Sequence, residues 1–248
     1  MKNTWAPIGT VARRELSAYF ESPVAYVFLV IFLLLAGFFT FTFGGFFERG
    51  EASLAALFTW LPWLFLFLVP AVGMRLWSEE RRMGTIELLL TLPVAAWQAI
   101  LGKFLASWVF LIIALALTFP IVITVNWLGD PDNGVIASGY IGAALLAGAY
   151  LAISSMTSAL TRNQVIAFIL AVMLCLLLVL VGFSPVTDLL SRWASPRLVE
   201  AVARFSVLTH YDGFQKGVVD SRGLLYFLSV MAFTLFATGV VIRNQRAG

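Results

Sequence analysis

One cysteine, Cys175, and one histidine, His210, occur among 248 residues. A lone thiol excludes a disulfide framework and a cysteine-based metal site, and a lone imidazole excludes histidine clusters. Charge is scarce too. Only 12% of residues are Asp, Glu, Lys or Arg, roughly half the share of a water-soluble domain. With 61% hydrophobic residues and a mean hydropathy of +0.95, this excludes a soluble enzyme or a nucleic-acid binder despite a pI near 9.2.

Catalytic and nucleotide-binding motifs are also missing. The only Gly-Lys pair, Gly102-Lys103, is followed by Phe104 instead of Ser or Thr, and Trp97 stands where a phosphate-binding loop needs its first glycine. There is no H-E-x-x-H zinc motif and no nucleophile elbow. The chain is therefore read as a non-catalytic subunit without a metal site, and any energy source has to come from a partner.

What is present is long apolar sequence. Six stretches carry no Asp, Glu, Lys or Arg: 23–47, 52–74, 104–129, 133–161, 163–187 and 223–242, more than half the chain. A hydrocarbon core about 30 Å thick takes about 20 helical residues. Barrel strands alternate over about ten residues and do not run apolar throughout. The expectation is an all-α membrane protein, one transmembrane domain over 1–248 with six spanning helices. Residues 88–102 are also uncharged but contain Pro93 and Gln98 and are too short to span. Glu15 and Glu21, ahead of the first run, argue against a cleaved leader.

Six spans place both termini on one side. That side holds Lys2, Arg13, Arg14, Arg75, Arg81, Arg82, Lys103, Arg162, Arg243 and Arg246. The other holds Arg49, Arg192, Arg197, Arg204, Lys216 and Arg222, five of them in one long loop. The excess of Lys and Arg predicts cytoplasmic termini. Ion-coupled transporters usually keep an ionisable residue within the membrane. These runs have none, and Asn126 near a run end is their strongest polar side chain.

Between the runs lie three informative segments. In 5–22, Ile8, Ala12, Leu16, Tyr19 and Phe20 form a helical apolar stripe, with Arg13, Arg14, Glu15, Ser17 and Glu21 on the other face. This predicts an interfacial helix, acting as an anchor or as an anchor with a mechanical contact. In 78–92, the charged cluster Glu79, Glu80, Arg81, Arg82 precedes Gly84 and Thr85, a candidate N-cap, with Glu87 near the helix start. Ile86, Leu88, Leu89, Leu90 and Leu92 then make a short helix apolar nearly all round. Such a helix buries itself against its own bundle or in the socket of a soluble partner. In 184–222, Ser184-Pro185 and Ser195-Pro196 punctuate two short amphipathic helices. A polar stretch with His210, Gly213, Phe214, Gly217 and Asp220 follows, read either as a substrate or partner contact or as a packed cap. The fourth run carries Gly139, Gly142, Ala143, Ala147 and Gly148, a spacing that permits close helix packing.

Three groups of residues carry a family resemblance: Arg14-Glu15-Leu16 with Tyr19-Phe20, Ser22-Pro23 and Ala25-Tyr26; Gly84-Thr85-Ile86-Glu87-Leu88-Leu89-Leu90; and His210 with Gly213-Phe214, Gly217 and Asp220. In this order the chain resembles the ABC-2 family of ABC transporter permeases. It is most similar to the gliding-motility type, with the nitrous-oxide-reductase maturation permease as a relative. The resemblance implies a permease of the bacterial inner membrane, paired as a homodimer above two cytoplasmic ATPase subunits that bind ATP and Mg; the chain itself holds no cofactor. It implies that 78–92 is the coupling helix, that 5–22 is a connecting helix and that the short helices in 184–205 are re-entrant. A periplasmic auxiliary protein is a further implied partner, alongside membrane lipids.

Overall fold

A computed structural model describes residues 6–46, 50, 52–85, 95–193 and 195–244. The chain runs through α1 (Ala6–Glu21), α2 (Pro23–Phe38) with a π-helical turn at Phe39–Phe43, α3 (Ala55–Gly73), α4 (Arg75–Met83), α5 (Ala96–Ala116) and α6 (Phe119–Leu128). It continues through α7 (Asn133–Leu160), α8 (Gln164–Leu180), α9 (Ser184–Ser191), α10 (Pro196–Ala203), α11 (Val207–Gln215) and α12 (Ser221–Asn244). No strand forms among the described residues. Five stretches are long and apolar enough to span a membrane: Pro23–Phe43, Ala55–Met83, Ala96–Leu128, Asn133–Leu160 and Ser221–Asn244. A sixth arises if α8 and α9 are taken together across a 65° bend. The protein is an all-α, multi-pass membrane protein.

Helix ends do not follow the edges of the charge-free runs. The run at 104–129 belongs to a helix that starts at Ala96, so Lys103 lies inside α5. That helix breaks before α6, where Thr118 Oγ1 donates to the Leu115 carbonyl at 2.6 Å and takes the Tyr140 hydroxyl at 2.6 Å. Pro120 then stands in the first turn of α6, where its missing N–H costs nothing. The run at 163–187 bends instead of crossing straight, because Pro185 opens a new helix at α9. The polar stretch after residue 206 is not a loop throughout. Ser206 caps α11 through Leu208 N, and α11 buries Val207, Tyr211 and Phe214. One apolar residue per turn sufficed for that, and the glycines and charges around them masked the period.

The hub is α7, onto which α3, α4, α5, α8, α11 and α12 all pack. Its most apolar window is 78% buried, against 28% for the windows in α2 and α12. Small residues make this possible. A Cβ on Gly142 would stand 2.5 Å from Phe214 Cβ, and one on Gly148 would stand 2.7 Å from Met231 Cε. Asp132 caps α7 through Gly134 N at 2.8 Å, and Asn163 caps α8 through Val165 N at 2.9 Å.

The first helix is docked on protein as well as being amphipathic. It runs along α5, with Ile8 buried and Gly102 facing Val11 so closely that an added Cβ would fall 2.7 Å from Val11 Cγ1. Ser22 and Pro23 then lead straight into α2. The two helices α1 and α4, the turn after α7 and the last turn of α12 gather at one end of the bundle, where most of the basic residues lie.

Candidate coupling site

Three helices meet at that end on one lysine. Lys103 Nζ in α5 lies 3.1 Å from Glu15 Oε2 in α1 and 2.8 Å from Glu80 Oε1 in α4. The lysine side chain is only 5% exposed, and the glutamates 18% and 15%. The Trp77 ring faces the ammonium at 5.6 Å, adding a cation–π contact. A lysine placed a few residues inside an apolar helix needs such partners, since an isolated charge there is costly. Glu80 Oε2 is buried without a hydrogen-bond partner among the described residues.

Each arm of the junction is braced. On α1, Arg14 Nη2 donates to Glu15 Oε1 at 3.0 Å. Ser107 Oγ donates to the Lys103 carbonyl at 3.0 Å, so the Tyr19 hydroxyl at 2.9 Å is the donor to Ser107. Tyr19 also stacks on Phe110 at 5.0 Å, and Phe20 meets the same ring edge-on. On α4, Trp77 Nε1 donates to Ser155 Oγ at 3.0 Å, and the Trp77 and Ser78 N–H groups both donate to Ser158 Oγ at 3.0 Å. The Ser158 hydroxyl in turn donates to the Met74 carbonyl at 2.7 Å. Arg81 Nη1 donates to the Ala159 carbonyl at 2.6 Å, a cation against the negative end of α7. Thus α4 is tied to the hub through Ser155, Ser158 and Ala159, and to α1 through Lys103.

Burial raises the Glu15 pKa, but the Lys103 charge and the Arg14 and Lys103 hydrogen bonds outweigh it and hold the carboxyl below its ordinary range. A depressed carboxyl stabilises the folded state fully above its unfolded value. That contribution fades as pH falls through the unfolded value toward the folded one. Hydrogen exchange of α1 is therefore expected to accelerate as pH drops through the acidic carboxylate range, after correction for intrinsic rates, and Glu15→Gln is expected to flatten the profile. An equally pH-sensitive Glu15→Gln variant would place the effect elsewhere.

The sequence-selected residues distribute as follows. Glu15, Tyr19, Phe20, Glu80 and Arg81 converge at the junction. Arg13 and Arg14 lie on the exposed face of α1, and Arg82 on that of α4. Glu79 pairs with Arg75 at 3.8 Å within α4. The cluster at 79–82 is helical and continues α4, and Gly84 ends that helix in the left-handed conformation, φ +71°, with its N–H on the Glu80 carbonyl. Thr85 Oγ1 turns back to the Glu80 carbonyl at 3.4 Å. Ile86, Glu87, Leu88 and Leu89 lie outside the described residues.

At the other end, His210 stacks on Tyr226 at 4.1 Å, and its Nε2 meets the Arg204 carbonyl at 2.9 Å. Phe214 is buried, and its carbonyl accepts from Ser138 Oγ at 2.7 Å. Gly213 closes the end of α11 and lies 3.4 Å from the Val218 carbonyl, measured from its would-be Cβ. Gly217 turns the chain at φ +85° against Val135, and Asp220 Oδ1 accepts from Arg222 N at 3.2 Å at the start of α12. Of the five, only Phe214 is buried, and Gly217 and Asp220 are exposed.

Sequence reasoning missed Lys103, Trp77, Ser155 and Ser158 as parts of a site. One signal was available: Lys103 interrupts an otherwise uncharged stretch from 88 to 129, and a lone charge in such a helix asks for a carboxylate.

The family model for ABC-2 family transporter proteins matches residues 10–202, which takes in most of α1, the junction, α9 and most of α10. No curated protein matches the chain. With most of its length covered by that match, the chain belongs to the ABC-2 family of transporter proteins.

Proposed function

We propose that the chain is the permease subunit of an ATP-binding cassette transporter of the bacterial inner membrane, with both termini cytoplasmic. A separate ATPase subunit, present in two copies, binds ATP and Mg and supplies the work, and two permease copies pair around the path. Family membership supports the permease role and the pairing with an ATP-binding subunit. The observation that carries the coupling scheme is the Lys103 junction. It clamps α1 and α5 to α4 directly ahead of Gly84 and residues 86–92, the apolar segment that would seat in the ATPase. Movement of that seat would be passed to α4, and from there through Trp77 and Ser158 to α7. The Arg14-Glu15-Leu16 and Tyr19-Phe20 start supports the gliding-motility type within the family.

A second reading is mechanical: ATP-driven movement acts on a periplasmic partner without solute flux. Exposed apolar side chains on the outer cap, Trp193 at 89% and Phe205 at 69%, favour it.

Purification of the tagged chain from its native cells in mild detergent, followed by mass spectrometry, tests both. A stoichiometric ATPase is expected, and an additional periplasmic protein would favour the mechanical reading. A homo-oligomer without ATPase in several detergents, with flux in liposomes lacking ATPase, would overturn the scheme in favour of a stand-alone transporter or channel.

A further inference from the structure

A groove of about 260 Å³ runs between the first turns of α5 and the last turns of α12. Trp97, Ile100 and Leu101 form one wall, and Leu235, Phe236 and Val240 the other. Gly239 keeps the floor open: a Cβ there would meet Ile100 Cδ1 only at an ordinary 3.6 Å. Among the described residues, no acidic side chain lines the groove. At its charged end stands Arg243, and neither its guanidinium nor the Trp97 indole N–H has a hydrogen bond or ion pair among the described residues. Phe236 is 72% exposed and Trp97 40%, so the groove is open along its apolar wall.

We propose that this groove binds one anionic phospholipid from the leaflet at that end, its phosphate held by Arg243 and Trp97 Nε1–H and the start of an acyl chain lying over Gly239. Charge complementarity selects the occupant. A cation without a protein partner among the described residues lines an otherwise apolar slot, which matches a molecule with one anionic and one hydrocarbon end. Basic pockets between transmembrane helices recognise anionic headgroups in this way, and a nearby Lys or Arg is worth about fivefold in affinity. A zwitterionic lipid offers the same chain but brings its own cation to Arg243. The site occupies another face of the same α5 turns that carry Lys103, and it does not depend on the ATPase reading.

Native mass spectrometry of the delipidated full chain, titrated with phosphatidylglycerol or phosphatidylcholine, tests this. One phosphatidylglycerol is expected to bind about fivefold more tightly than phosphatidylcholine. Arg243→Gln is expected to equalise the two lipids, and Gly239→Leu, which fills the slot, to weaken both. Trp97→Phe keeps the ring and removes the donor, so a reduced phosphatidylglycerol preference is expected in a fold that circular dichroism shows intact. Equal affinities in the wild-type chain would overturn the proposal, as would a preference unchanged in Arg243→Gln. A Gly239→Leu variant that alters the monomer–dimer balance but not lipid count would assign the groove to a second copy instead.

Discussion

Lys103→Met removes the cation shared by the partly buried Glu15 and Glu80, leaving Glu15 only Arg14, and the expected loss is about 3 kcal/mol of stability, because carboxylates that lose a partner keep part of their desolvation cost. The ammonium lies 3.1 Å and 2.8 Å from its two carboxylates, beside a pocket of about 180 Å³ that Glu15, Glu80 and Lys103 help to line. A triple variant separates structure from coupling. Lys103→Met combined with Glu15→Gln and Glu80→Gln removes all three charges, and neutral replacement of a whole buried set is often tolerated. Thermal unfolding of the triple variant is expected near wild type. Stimulation of the partner ATPase is expected to remain lost, since α1 and α4 are no longer clamped through α5. Full stimulation in a stable triple variant would show that the junction only holds the fold.

Gly84→Pro is expected to abolish ATPase stimulation while leaving membrane insertion intact. Gly84 sits at φ +71°, and its N–H bonds to the Glu80 carbonyl. Proline fixes φ near −65° and has no N–H, so it removes the bond and redirects the chain where α4 gives way to the 86–92 segment. Gly84→Asn tolerates the left-handed conformation better and is expected to keep much of the activity. Any other side chain at that φ costs about 1–2 kcal/mol. ATPase rates of the reconstituted complex, with protease protection to check topology, measure this. Unchanged stimulation in the proline variant would detach 78–92 from coupling.

Long apolar helices were legible because lipid demands them, although 163–187 bends at α9, and the Gly- and Ala-rich fourth run announced close packing that α7 provides as the hub. The amphipathic stripe of 5–22 was legible as well, though not what it packs on. Helical periodicity reports which face is apolar, not whether lipid or a neighbouring helix covers it. The Lys103 junction was not legible for a related reason. Treating Lys103 as a loop charge followed from cutting the sequence at every charge, whereas its partners lie 88 residues before it in Glu15 and 23 before it in Glu80. Pairing over such distances leaves no local pattern. In the 206–222 segment, glycines, His210 and charges hid α11, whose apolar residues are few and are buried by α7 instead of by a regular stripe.

The order of the junction residues along the chain bears on how the protein is made. Glu15 and Glu80 both precede Lys103, so both carboxylates leave the ribosome before the lysine does. When α5 is synthesised, both of its counter-ions already exist in the chain, so the junction can close as soon as Lys103 arrives. A rearranged chain in which α5 is synthesised first would present the lysine before either carboxylate, although every final contact remained available.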